Sequence, residues 1–207
     1  ETIWSTVVST LLALGIGLPL GVCLVTGEPG GVRPLPRWVM SLLNVVINLL
    51  RSVPFLILMI IVIPLSRLIV GTSIGTTASI VPLVIASFPF VSRLVETSMR
   101  EVDAGVIEAA QSMGATPLQI ITKVMIPESL PSLVSNVTIA TTTIMGYGAM
   151  AGIIGGGGLG KIAINYGYYR FNAVLEIFAT VLLVILVQIL QTVGTRLAVR
   201  CDKRIQR

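Results

Sequence analysis

Histidine is absent, and Cys23 and Cys201 are the two cysteines among 207 residues. That inventory excludes a His-based metal site, a Ser-His-Asp or Cys-His triad and a disulfide framework, and with them most soluble-enzyme chemistry. Charge is also scarce. Charged residues make up 11% of the chain where a soluble domain has about 25%, while 54% is apolar and the mean hydropathy is +0.96. Such a chain lacks the side chains to cover a water-facing surface. Aromatics total 5% and no basic run interleaves with them, so the net charge of +5 carries no nucleic-acid signature.

What the chain has instead is long charge-free runs, at residues 2–27, 68–92, 129–160 and 177–195. Each reaches the length of about 20 residues that a bilayer crossing needs. The reading is a single all-α polytopic membrane domain over 1–207. Its five spans fall at about 2–27, 38–65, 74–95, 130–151 and 175–195, with one long hydrophilic excursion at about 100–128. The sequence opens on Glu1 rather than Met, so preceding residues are expected. Residues 2–27 have no basic stretch before them, and their length reads as a retained span rather than a signal peptide.

Lys and Arg fall unevenly between the two sides. Arg33, Arg37, Arg93, Arg100, Lys123, Arg196, Arg200, Lys203, Arg204 and Arg207 lie in the loops after spans one and three and in the tail. The opposite side holds Arg67, Lys161 and Arg170. The positive-inside rule then puts the N-terminus outside and the excursion and tail in the cytoplasm. Tyr166, Tyr168 and Tyr169 suit an interfacial belt on the outer side.

Inside the spans, small and polar residues are patterned. Gly17-Leu-Pro-Leu-Gly21 is a small-xxx-small segment that lets helix backbones approach. Ser41, Asn44, Asn48 and Arg51 recur at spacings of three, four and three, which puts a polar face on an otherwise apolar helix. An Arg at membrane depth is expensive, so Arg51 faces a pathway or subunit seam, or else lies near the headgroups. Pro82 and Pro89 mark kinks in the third span.

The excursion carries clear stop and start signals. Asp103 is an N-cap, with Val102 and Ile107 placed as a hydrophobic staple, so a short helix begins there. Gly114 fits its C′ position. Thr116, Pro117 and Gln119 then form a capping-box start for a second short helix. Val106, Ala109, Ala110 and Met113 lie on one stripe of the first helix. Such a stripe either inserts into a groove on another protein or lies on its own membrane domain.

Glu108-Ala109-Ala110, three residues, Gly114, nine residues, Val124, one residue, and Ile126-Pro127 resembles the EAA loop of ATP-binding-cassette importer permeases. That pattern ends in Ile-x-Leu-Pro, from which Val124 and Ile126 depart conservatively. The likeness extends to methionine-importer permeases in Arg51-Ser-Val-Pro-Phe-Leu-Ile-Leu58, Ile63-Pro64, Arg67 to Gly75, Met113 to Pro117, Gly146-Tyr147-x-Ala149-Met150, Gly157 to Gly160 and Tyr166 to Tyr168. It is thin before Arg51.

The resemblance implies a homodimer enclosing one pathway. Two cytoplasmic ATPase subunits lie beneath it, holding ATP and Mg, and an extracytoplasmic methionine-binding protein docks outside. This chain then hydrolyses nothing and holds no cofactor or metal. In that family the EAA loop is a coupling helix seated in the ATPase, which assigns Glu108, Ala109, Ala110, Met113, Gly114 and Pro127 to coupling. Glu108 is an anchor there, or simply a solvated helix charge. Asn48, Arg51, Pro54, Tyr147 and Met150 are the pathway or gate candidates, and the implied location is the bacterial inner membrane.

Two motifs are set aside. Gly155 to Lys161 fits the Gly-x4-Gly-Lys part of a P-loop, but Ile162 stands where Ser or Thr would hold Mg²⁺, so ATP binding by this chain is excluded and a flexible outer loop is expected. Asn136-Val-Thr138 is a glycosylation sequon inside a span and is discarded. Two other transport readings stay open. One is a permease for another amino acid or small solute; the other is an ion-gradient transporter, which needs a protonatable group at midplane that the charge-free runs lack.

Overall fold

The structure, a computed structural model, describes residues 1–202. Lys203, Arg204 and Arg207, counted above as basic residues of the tail, lie outside the described residues. Among the described residues every regular element is a helix: α1 (Thr2–Thr26), α2 (Arg37–Ser52), α3 (Phe55–Val70), α4 (Thr76–Arg100), α5 (Ala104–Ser112), α6 (Pro117–Ile120), α7 (Ile126–Ala151), α8 (Gly158–Lys161) and α9 (Ala173–Cys201). The all-α membrane fold holds. Four helical stretches are long and apolar enough to cross a bilayer: α1, α4, the run Pro117–Ile154 that contains α7, and α9. The helices α2 and α3 pass that test only as a pair, bent by 108°.

α4 is the centre of the bundle, with the greatest buried share among the four long helices. α1 packs along it through small residues. A Cβ added at Gly21 would stand 2.6 Å from the Ser92 carbonyl oxygen, and one at Gly17 would stand 2.7 Å from Val91 Cγ1. The small-xxx-small segment therefore does what its spacing predicts, and the backbones approach where side chains would forbid it. α7 joins α4 through polar contacts. Asn136 Nδ2 donates to Ser98 Oγ at 2.7 Å and Ser132 Oγ donates to the same oxygen at 3.1 Å. In an apolar medium such bonds between helices replace water as the partner of polar groups. Asn136 is thus a seam residue.

α9 buries only Ala179 and Gly194 fully and exposes apolar side chains such as Ile185 and Ile189, the pattern of a helix facing lipid. The main buried cluster runs from Ala13, Val91 and Ala140 among the long helices to Ala110, Ile120 and Met125 below them. The excursion is therefore packed on the bundle rather than trailing from it.

Three segments differ from expectation. The second span breaks between α2 and α3 at Val53 and Pro54, because Pro54 has no N–H to continue the ladder and holds Val53 extended, at ψ 125°. The third span continues as helix to Arg100, so Glu96 and Arg100 are helical, as is Arg93, which lies inside the expected span and was counted with the loop charges. The second short helix of the excursion does not end. It widens into a π turn at Ile121–Met125 and continues as α7, so Pro117–Ile154 is one run of 38 residues. Pro127 explains the widening, since it cannot donate to the carbonyl four residues back and the turn before it takes the looser i→i+5 form.

The glycine-rich segment is also more ordered than a flexible loop. Gly75 N–H donates to the Gly155 carbonyl at 2.9 Å, Gly158 N–H to Glu1 Oε2 at 2.8 Å and Leu159 N–H to Thr2 Oγ1 at 2.8 Å. It ties the starts of α1 and α4 to the end of α7. The opposite end of the bundle carries the α1–α2 turn, the end of α4 and α5.

Candidate functional site

α5 is held at both ends by its own backbone chemistry. Asp103 accepts from Gly105 N–H at 2.7 Å, while Val102 is buried at the N′ position. At the other end Gly114 sits at φ +78°, where a Cβ is disfavoured. Its N–H donates to the Gln111 carbonyl at 2.9 Å, and Ala115 N–H donates to that of Ala110 at 3.1 Å, the two bonds of a Schellman motif. Thr116 and Gln119 then exchange both bonds of a capping box, at 2.9 and 3.4 Å. The chain turns sharply here.

The stripe on α5 divides in two. Ala110 is 4% exposed and joins the bundle core with Ile107, whereas Met113 is 82% exposed and Val106, Ala109 and Glu108 also face outward. The spacing explains it: 107 and 110 form one face, and 106, 109 and 113 the adjoining one. One face holds the helix to its own protein and leaves an open apolar ridge beside Glu108. Between α5 and the α1–α2 turn lies a cleft of about 240 Å³ whose walls include Thr26, Val32, Ile107, Glu108 and Gln111. Gly114 is exposed at the tip, and Pro127 is exposed at the start of α7.

Above α5, the last turns of α4 carry a charge network that sequence reasoning missed. Glu96, 8% exposed, lies between two guanidiniums: Arg93 Nη1 donates to its Oε2 at 2.6 Å and Arg100 Nη2 to its Oε1 at 2.8 Å. Arg93 Nη2 reaches across to α2, donating to Asn44 Oδ1 at 2.7 Å and Asn48 Oδ1 at 3.0 Å. Asn44 Nδ2 donates to the Met40 carbonyl at 2.9 Å, which turns its oxygen toward the arginine. Arg100 also clasps Glu28 of the α1–α2 turn with both terminal nitrogens. Two cations and two anions make the set neutral, the condition for burying charge. The i,i+3 and i,i+4 spacing of Arg93, Glu96 and Arg100 was the available signal; nothing local pointed to Glu28.

The polar stripe of α2 therefore divides as well: Asn44 and Asn48 meet Arg93, while Ser41 and Arg51 are exposed. Just beyond Arg51 comes the α2–α3 joint. Phe55, the first residue after Pro54, stacks on Tyr147 of α7 with centroids 4.5 Å apart and planes 7° from parallel. Tyr147 thus meets the residue that follows Pro54. Met150 lies one turn further along α7, half exposed and outside that stack. Among the described residues no group of three His, Cys, Asp or Glu side chains is placed to hold a metal.

Long apolar helices, a break in one span and a capped short helix packed on one end of the bundle with an open apolar ridge define a polytopic membrane protein. The chain belongs to the family of binding-protein-dependent transport system inner membrane components, whose model matches residues 15–207. It is 49% identical over 207 residues to the probable D-methionine transport system permease protein MetI of Vibrio cholerae, covering 99% of this chain and 90% of that one. It is 48% identical over 164 residues to the methionine import system permease protein MetP of Bacillus subtilis, covering 79% and 74%. A solved structure of inward facing conformations of the MetNI methionine ABC transporter superposes with TM-score 0.95 at 44% identity, covering 98% of this chain and 94% of that one.

Proposed function

We propose that this chain is the pathway-forming subunit of an ABC importer for methionine, working as a homodimer on two cytoplasmic ATPase subunits. ATP and Mg²⁺ bind those subunits, and a methionine-binding protein delivers the solute from outside. The observation that carries this reading is the capped, outward-facing α5 in a chain 44–49% identical to proteins named for methionine transport. N-terminus outside and α5 inside is the orientation favoured by the basic residues of the α1–α2 turn and the excursion. Likeness to an inward facing transporter favours a pathway open toward the α5 end.

In this reading α5 seats its Val106–Ala109–Met113 ridge in a groove of the ATPase, with Glu108 as polar anchor and Gly114 making the turn. Closure of the ATPases on ATP draws the two copies of α5 together, and α4 and α7 follow as rigid bodies. Pro54, Tyr147 and Met150 line or gate the pathway, with Asn48 and Arg51 approaching it from α2. An ion-coupled transporter needs a carboxylate free to take a proton at membrane depth. Glu96, within α4, is instead paired with two arginines.

The test is uptake of labelled L- and D-methionine into vesicles containing the chain, its ATPase and its binding protein, with ion gradients collapsed. ATP-dependent uptake competed by unlabelled methionine is the expected result. ATP-driven uptake of a different solute removes the substrate, and uptake on a gradient by the chain alone removes the mechanism.

A further inference from the structure

α2 is a lightly anchored helix. Its fully buried residues are Met40 and Ile47, and the small cluster they enter adds Leu24 with Leu35 and Leu43 at its edge. Against that modest apolar contact stands a directional one, because both asparagines that face α4 are gripped by one nitrogen of Arg93. The other terminal nitrogen of Arg93 is fixed by Glu96, and Glu96 is fixed again by Arg100. A planar guanidinium with opposed partners has one orientation that satisfies all of them. The position of α2 along α4 is therefore set by hydrogen-bond geometry rather than by packing.

The two ends of this contact lead to the two places where the proposed function needs movement. Arg100 is the last residue of α4, and α5 begins four residues on. At the other side α2 ends at Ser52, the joint at Val53 and Pro54 follows, and Phe55 stacks on Tyr147. The break makes α2 and α3 separate levers, since no continuous helix carries a displacement through a 108° bend.

We infer that Arg93 and Glu96 are positioning residues for coupling: they lock α2 to the end of α4, so that displacement of α5 is delivered through α2 to the Pro54 joint. The inference rests on the proposed transport function for its consequence, but the lock itself is a property of this chain. Without Arg93, α2 keeps its apolar cluster and its place in the bundle and loses its fixed register on α4. Hydrolysis by the ATPase then continues while less of it reaches the pathway.

The decisive experiment labels α2 and α4 with spin probes at Val45→Cys and Thr97→Cys, both exposed, in the full chain carrying Cys23→Ser and Cys201→Ser and assembled with its ATPase in nanodiscs. In dimers with one labelled and one unlabelled copy and Arg93 present, one narrow distance is expected, unchanged by ATP. Arg93→Met is expected to broaden it, and to lower solute taken up per ATP hydrolysed on the order of tenfold at unchanged basal hydrolysis. If Arg93→Met reduces the amount of assembled protein, Asn44→Ala, which leaves the Arg93–Glu96 pair intact, is read the same way. A distance that stays narrow in both variants, or an unchanged ratio of uptake to hydrolysis, overturns the inference. Absence of ATP-driven uptake in the unsubstituted assembly counts against the transport reading instead, and the distance measurement still decides whether the lock exists.

Discussion

Phe55 and Tyr147 lie face to face, 4.5 Å between ring centroids and 7° from parallel, and so the residue after the α2–α3 joint is fastened to α7. Such a pair contributes about 0.5–1.5 kcal/mol beyond its buried area. Tyr147→Phe keeps the ring and is expected to hold uptake within about twofold, since the stack needs no hydroxyl. Tyr147→Ala is expected to lower ATP-driven uptake and to lower the unfolding temperature in detergent. Equal uptake in the two variants removes the stack from the mechanism.

The turn after α5 makes a separate prediction. Gly114 sits at φ +78° with no heavy atom within 4 Å of where a Cβ would go, so a side chain there meets strain and not collision. A β-branched residue in that region costs about 1–2 kcal/mol. Gly114→Val is therefore expected to misdirect the ridge without unfolding the bundle, and Glu108→Ala to remove an anchor. Both are expected to reach the membrane and dimerise normally, with reduced co-purification of the ATPase and reduced uptake. Normal uptake in both rejects residues 103–115 as the coupling element.

These features differ in how far the sequence revealed them, and the reason is range. Asp103, Gly114, Thr116, Pro117 and Gln119 act on backbone groups within a few residues, so the ends of α5 and the start of α6 were legible to the residue. The break at Pro54 had its signal in the proline, but the apolar run on both sides looked like one span. The π turn before Pro127 had its signal as well, one turn earlier than the expected span. Arg93 was counted with the loop charges although it lies inside the expected third span, because the charged residues that follow it hid the continuation of the helix to Arg100. Its bonds to Asn44 and Asn48 join positions more than 40 residues apart, which no local pattern encodes. The split of the α5 stripe likewise needed the bundle in place, since periodicity groups residues by face without saying which face is covered.

Two glycines six residues apart on α1 separate packing from propensity. Gly21 meets the Ser92 carbonyl and Val95 at the α4 seam, while Gly15 has nothing within 4 Å. Gly21→Leu is expected to force α1 off α4 and to cost about 1–3 kcal/mol or more, the range for overpacking. Gly15→Leu adds an apolar side chain where lipid or open space receives it, and is expected to be neutral or stabilising, since Gly is about 1 kcal/mol poorer than other residues in a helix interior. Folded yield and thermal unfolding of the two variants in detergent check this, and equal losses dissolve the seam as an account of α1.

The two carboxylates that pair with Arg100 give the sharpest contrast in energetics. The Glu28 side chain is 40% exposed and its partner Arg100 46%, whereas the Glu96 side chain is 11% exposed between two cations. Exposed pairs contribute about 0–1 kcal/mol because water already solvates each charge and salt screens their attraction. Breaking a buried pair costs about 3–5 kcal/mol, most of it the penalty of leaving the other charge without compensation. Glu28→Gln is therefore expected to leave the unfolding temperature nearly unchanged and to lose what small effect it has as salt is raised. Glu96→Gln keeps the shape and removes the anion that Arg93 and Arg100 share, so it is expected to destabilise strongly, with little relief from salt. Pairing it with Arg93→Met removes one of the stranded cations and is expected to recover part of the loss, giving a non-additive double-mutant cycle. Additive losses in that cycle mean that Arg93 and Glu96 act separately, and the network is then two independent contacts.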